Sequence, residues 1–243
     1  MGLPTIERDT ALGRYHSPDP AEGDSLPSLV FIHDVWGLSD HSHDLARDLA
    51  SEGFGVLEID LYREMGEVSI EAPGPFIRSL SDPGVLADLE AGADWLERET
   101  NAGAKVGVVG VCMGGTYALL AACLSDRFAA SAPFYGILSY EAGMLANPAG
   151  RDFDLKPAAP LEVASRLEVP LLASFGAEDD FVPVEDVRDL EARLRESGKP
   201  SRVDVYAGAG HAFLNRTREA AYRPEASARA WAELIPFLHE HLD

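Results

Sequence analysis

The sequence predicts an α/β protein: a mostly parallel, twisted sheet with helices on both faces. Three observations carry this. Six short, nearly continuous apolar runs recur along the chain, as strands buried on both faces do. Amphipathic helical patterns lie between most of them. The 243 residues are 46% hydrophobic and 25% charged, which suits one globular domain over residues 1–243 with a sizeable core.

The first two runs, residues 29–32 and 55–59, flank a helical pattern over 40–51 with Leu45, Leu49 and Ala50 on one face. A second helix is expected over 83–99, with Leu86, Leu89, Ala93, Trp95 and Leu96 turned inward. It leads into the third strand, 106–111. A helix then starts at Gly114 and carries Leu119, Leu120 and Cys123. Strands follow over 129–135, 169–175 and 203–206, with a helix over 184–196 between the last two. The final helix starts near Pro224, a residue suited to the first turn, and runs to Leu242. Pro236 lies inside it, so a kink or break is expected there. Residues 63–81 and 139–160 fit no clean element; long irregular stretches in a compact domain are often walls or lids of sites.

Charge narrows the partners. Forty-one acidic residues face 20 basic ones, a net charge of −21. Such a surface repels nucleic acid and anionic membranes, leaving a small molecule as the expected partner. Only three of the basic residues are lysines, which fits either salt adaptation or a GC-rich genome. Two cysteines, Cys112 and Cys123, rule out a disulfide scaffold. No apolar stretch is long enough to span a bilayer, and residues 1–10 lack an apolar signal core, so a cytoplasmic protein is expected. The oligomeric state stays open between monomer and homodimer.

In parallel sheets, ligands sit at the carboxyl ends of the strands, so functional residues should fall just after strands. The strongest motif does. Val108-Val109-Gly110-Val111-Cys112-Met113-Gly114-Gly115 runs from a strand through Gly-x-Cys-x-Gly-Gly into a helix, the context of a nucleophile elbow with cysteine in the usual serine position. The glycines let strand and helix approach, and the helix N-terminus favours a thiolate. A phosphate loop is disfavoured because Thr116, not lysine, follows Gly115.

A base and an orienting acid should accompany the nucleophile. His211 follows the last strand in Gly208-Ala209-Gly210-His211. Asp179 follows the preceding one in Gly176-Ala177-Glu178-Asp179-Asp180, where Glu178 and Asp180 are alternative acids. The order nucleophile, acid, histidine matches that of α/β-hydrolases. Oxyanion donors are expected from the N–H groups of Met113 and of Val35, in the loop His33-Asp34-Val35-Trp36-Gly37-Leu38. Asp34 is a carboxylate at the mouth of this site or the cap of a turn. His41 and His43 form a His-x-His pair that reads as the polar opening of a helix, so no metal and no cofactor are expected.

Together, residues 110–115, 33–38, Ile59-Asp60-Leu61-Tyr62, 176–183 and 208–213 resemble the dienelactone hydrolase family of α/β-hydrolases, in order and across most of the chain. The resemblance implies an α/β-hydrolase fold and hydrolysis of a lactone or carboxylic ester by a cysteine triad, through a thioester. It gives Asp34 the place of a carboxylate that holds the thiol until substrate arrives, a glutamate in the best-known members. It also implies two arginines gripping a substrate carboxylate, a role that would fall to Arg78 and Arg216, with Trp36 beside the substrate. The second arginine is expected four residues after the histidine, where Asn215 stands instead. A general short-chain esterase or thioesterase with the same triad, and a redox-sensing protein that kept only the fold, are the rival readings.

Overall fold

The computed structural model describes residues 2–19, 26–99 and 105–243. Eight strands form one sheet in the order β1-β2-β4-β3-β5-β6-β7-β8. They are β1 (Thr5–Thr10), β2 (Gly13–Pro18), β3 (Ser28–Ile32), β4 (Gly55–Ile59), β5 (Val106–Val111), β6 (Ala130–Phe134), β7 (Leu171–Gly176) and β8 (Ser201–Tyr206). From β4 to β8 every pairing is parallel, while β1 and β2 form an antiparallel hairpin on the β4 edge.

The helices are α1 (Asp40–Ser51), α2 (Pro73–Ser79), α3 (Asp82–Glu99), α4 (Met113–Leu124), α5 (Pro160–Val163), α6 (Val184–Glu196) and α7 (Pro224–Leu242). Apolar residues of α1 and α7 pack with Leu29, Phe31, Val109 and Val111 on one face of the sheet. Those of α3, α4 and α6 pack with Val30, Ile32, Val106 and Val108 on the other. Alternate residues of the central strands thus feed opposite halves of the core, which is why those strands read as unbroken apolar runs. None of the described helices is long and apolar enough to cross a membrane.

Pro236 does not break α7. Leu234, Leu238 and Leu242 are buried on both sides of it, so packing holds the helix together despite the lost backbone hydrogen bond. The irregular stretch 63–81 contains α2, and 139–160 contains a short 3-10 turn at Gly143–Leu145.

The chain reverses direction across the sheet at β3. It passes from β3 to β4 on one side, then through α3 to β5 on the other. Adjacent strands that leave for opposite faces open a crevice at their carboxyl ends. Here Ile32 lies beside Gly110, so the loop after β3 emerges next to the end of β5.

Candidate active site

Cys112 stands at that crevice, between β5 and the first turn of α4. Its backbone is left-handed, with φ 55° and ψ −117°. Such a conformation costs a non-glycine residue about 1–3 kcal/mol and persists only where the surroundings enforce it. The glycines are part of that enforcement. A Cβ on Gly110 would meet the carbonyl oxygen of Gly114 at 2.1 Å, and one on Gly114 would meet that of Ile32 at 2.2 Å. Cys112 N–H donates to the carbonyl of Phe134 (3.0 Å), pinning the bend to β6.

His211 and Asp179 meet, although 32 residues separate them. His211 Nδ1 lies 2.9 Å from Asp179 Oδ2. The other carboxylate oxygen accepts the N–H groups of Phe181 (2.8 Å) and Val182 (3.1 Å), which fixes its orientation. Of the three neighbouring acids only Asp179 is buried; Glu178 and Asp180 are exposed. The imidazole sits edge-on against Phe181 and Tyr135, with ring centres 4.9 and 5.1 Å away. Its Nε2 is buried and forms no hydrogen bond of normal geometry among the described residues. Burial alone would lower the affinity of His211 for a proton. The negative charge of Cys112 and the hydrogen bond to Asp179 outweigh it, raising the pKa to about 10. His211 therefore stays protonated at neutral pH.

Strain gathers here. The only left-handed non-glycine residues among those described are Cys112, Tyr135 and Ala212, and the last two touch or adjoin His211.

The loop after β3 is braced from below. Leu61 N–H donates to His33 Nε2 (3.3 Å), so the proton of that ring lies on Nδ1, which faces the Asp34 carbonyl at 2.5 Å. Complete burial holds the His33 pKa down and keeps it neutral. Tyr62 O–H lies 3.0 Å from the Val35 carbonyl, to which it donates, and 3.4 Å from Met113 Sδ. The N–H groups of Val35 and Met113 have no hydrogen-bond partner among the described residues.

Asp34 Oδ1 accepts the N–H of Trp36 (2.9 Å), so this carboxylate caps the turn that carries Val35. The two arginines expected to grip a carboxylate are not brought together. Arg78 donates to the carbonyls of Met144 (3.3 Å) and Ala146 (3.1 Å), binding α2 to the 3-10 turn. It lines a cavity of about 270 Å³ that none of Cys112, His211 and Asp179 touches. Arg216 pairs with Asp48 on α1, at 2.7 Å. Trp36 is 44% exposed, and the guanidinium of Arg218 lies over its ring at 5.4 Å. Arg218 had no motif to mark it in the sequence, nor did Tyr62 as a brace or Tyr135 as a wall of the imidazole. Cys123 is free and buried in α4, with its thiol pushed up to about 12 by burial.

The profile of the dienelactone hydrolase family matches residues 13–242. The chain belongs to that family. A Bradyrhizobium protein named a probable 2-oxo-3-(5-oxofuran-2-ylidene)propanoate lactonase is 32% identical over 221 residues, covering 89% of this chain and 85% of its own. A Salmonella typhimurium protein provisionally named a carboxymethylenebutenolidase is 28% identical over 236 residues, covering 93% and 82%. The crystal structure of a Klebsiella pneumoniae protein, provisionally named a dienelactone hydrolase, superposes with a TM-score of 0.86 at 26% identity, covering 97% of this chain and 99% of that one. As a dienelactone hydrolase family member with the α/β-hydrolase fold, the chain is a hydrolase of lactones or carboxylic esters.

Proposed function

We propose that Cys112, His211 and Asp179 are the catalytic triad and that the reaction passes through a thioester on Cys112. The observation that carries this reading is the pair His211–Asp179, bonded through Nδ1 with Nε2 left free, beside a cysteine held in a strained bend at a helix N-terminus. In this mechanism the Cys112 thiolate attacks the carbonyl carbon. The oxyanion accepts hydrogen bonds from the N–H groups of Val35 and Met113. The intermediate collapses by breaking the C–O bond, and the His211 imidazolium gives its proton to the departing oxygen. Neutral His211 then takes a proton from water, the resulting hydroxide attacks the thioester, and the thiolate leaves to restore the ion pair. Asp179 holds the ring and its charge throughout.

Asp34 in this reading shapes the turn that presents Val35, with its second oxygen left for the thiol-holding role. For the substrate we infer a small lactone or ester. With Arg78 bonded to carbonyls and Arg216 to Asp48, a substrate carboxylate would not meet a two-arginine grip. Neutral substrates are therefore favoured over anionic ones.

The test is a panel of dienelactone-type lactones and short aryl esters with wild type and Cys112→Ala. The variant should lose activity by on the order of 10⁴-fold or more on every substrate the wild type cleaves. Turnover by Cys112→Ala at the wild-type rate would refute the triad. Trapping the thioester by acid quench and mass measurement of the wild type separates a slow enzyme from an inactive one.

A further inference from the structure

A second polar cluster lies on the α1 side of the sheet, built from β2, β4 and α1. Glu58 is completely buried in β4, where it and Val56 face α1 while Leu57 and Ile59 face the opposite core. His16 sits opposite Val56 in the antiparallel pairing, so its side chain falls on the same face as Glu58. His43 reaches the cluster from α1. His16 Nε2 is 3.0 Å and His43 Nδ1 is 2.7 Å from the same oxygen, Glu58 Oε2.

We propose that His16, His43 and Glu58 form a binding site for a divalent transition-metal ion of the zinc class. Their donor atoms all lie within 4.8 Å of one another. Two ligands at about 2.1 Å from a tetrahedral zinc are about 3.4 Å apart, so each imidazole would draw back from Glu58 Oε2 by about half an ångström while the two ring nitrogens, within 4.8 Å of each other, turn towards the ion. Both imidazoles crowd one carboxylate oxygen, while the other, Oε1, is buried and forms no hydrogen bond of normal geometry among the described residues, the nearby Ser42 hydroxyl being directed to the carbonyls of Gly37 (3.3 Å) and Ser39 (3.0 Å). A cluster made only for hydrogen bonding would use both oxygens; a buried carboxylate with a bare oxygen is a costly arrangement that a cation relieves.

The outer partners fit as well. Glu7 Oε2 lies 3.6 Å from His16 Nδ1, on the far side of the ring. On metal binding the His16 ring presents its Nε2 lone pair inward and keeps its proton on Nδ1 towards Glu7, the carboxylate–histidine–metal arrangement. His43, 19% exposed, keeps its proton on Nε2. Two imidazole nitrogens and one carboxylate oxygen suit zinc, cobalt or nickel and are a poor set for calcium or magnesium. Glu58 gives the ion one negative charge directly, and Glu7, which also lies 3.5 Å from Arg47, acts on it through His16. The ion would clamp the N-terminal hairpin and α1 onto the sheet. It stands apart from the triad and does not depend on the mechanism proposed above. The sequence expectation of no metal weighed the His41–His43 pair alone; the partners of His43 come instead from two distant strands.

The experiment is calorimetric titration of the chelator-treated full chain with Zn²⁺, repeated with Co²⁺ followed by visible absorption and with Mg²⁺ as a control. One Zn²⁺ per chain is expected, with a rise in Tm and with cobalt bands of low coordination number. His43→Ala and Glu58→Gln should each weaken binding on the order of 100-fold or more, and Glu7→Gln about 10-fold. Cys112→Ser should bind as the wild type does. Absence of stoichiometric binding, wild-type affinity in His43→Ala, or loss of the ion with Cys112→Ser would overturn the proposal. Should Glu58→Gln not fold, His43→Ala decides, because that ring lies at the outer edge of the cluster.

Discussion

His211 is held in its charged form by two neighbours, and they can be separated. The sulfur of Cys112 and the carboxylate of Asp179 together lift it against burial to about 10. A raised pKa keeps the imidazolium through neutral pH, so kcat/KM should fall on the alkaline side only as pH approaches 10, when the leaving oxygen loses its proton donor. Asp179→Asn removes one support. Its alkaline limb should move down towards the ordinary imidazole value of 6.5, and kcat should drop on the order of 10⁴-fold. A pH–rate profile checks this; an unshifted limb in the variant would detach Asp179 from His211. These two residues and Cys112 were legible in the sequence because each sits in a short local motif at a strand end. Tyr62, His33 and Tyr135 were not, because their importance comes from contacts with residues far along the chain. Tyr62 reaches back 27 positions to the Val35 carbonyl, and no local pattern encodes that. Arg78 is the opposite case: its place in the chain suits a carboxylate grip, and in the structure its guanidinium donates to two carbonyls that no local pattern marks.

At the scale of elements, the stretch after β6 is secured by a buried ion pair. Lys156 Nζ lies 2.5 Å from Asp82 Oδ1 at the start of α3 and 3.0 Å from the Tyr117 hydroxyl of α4, while the Tyr140 hydroxyl donates to Asp82 Oδ2 (2.8 Å). Burial pushes the pKa of Asp82 up and that of Lys156 down, so loss of solvent opposes both charges and pairing offsets it. Lys156→Met should cost about 3–5 kcal/mol, because it strands a buried carboxylate, whereas Lys156→Met with Asp82→Leu should recover most of that loss. Urea unfolding of the three proteins tests this, and a single variant as stable as wild type would deny the pair its role. The sequence disclosed neither this network nor the hairpin. In β1 the run Thr5–Thr10 has one apolar side chain, Ile6, and that one is exposed, so an edge strand carries no periodic signal. In β2 two of the buried residues are polar, His16 and Ser17, and the burial of His16 follows from Glu58 and α1, not from hydrophobicity. The central strands and α1, α3, α4, α6 and α7 were legible because each buries a continuous run or a periodic face.

For the whole molecule, the dominant long-range force is repulsion among carboxylates. Even with every arginine and lysine paired, a net charge of −21 remains. Many of the ion pairs are exposed, such as Arg8–Glu99 and Arg195–Glu191, and contribute about 0–1 kcal/mol each. Screening them costs little, while screening the surplus of like charge relieves strain over the entire surface. Stability should therefore rise with salt. Between about 0.01 M and 1 M sodium chloride the screening length shrinks from about 30 Å to about 3 Å, so most of the gain should come early in the titration. Chloride is the salt to use, because sulfate stabilises folded proteins by exclusion from their surfaces whatever their charge. The same field acts on substrates. An anionic ester approaches against a negative potential and a neutral one does not, so added salt should raise kcat/KM for the anionic ester and leave the neutral one nearly unchanged. A Tm that falls with sodium chloride, or equal salt effects on the two substrates, would mean that local ion pairs outweigh the net charge and that the acidic surface does not govern access to the crevice.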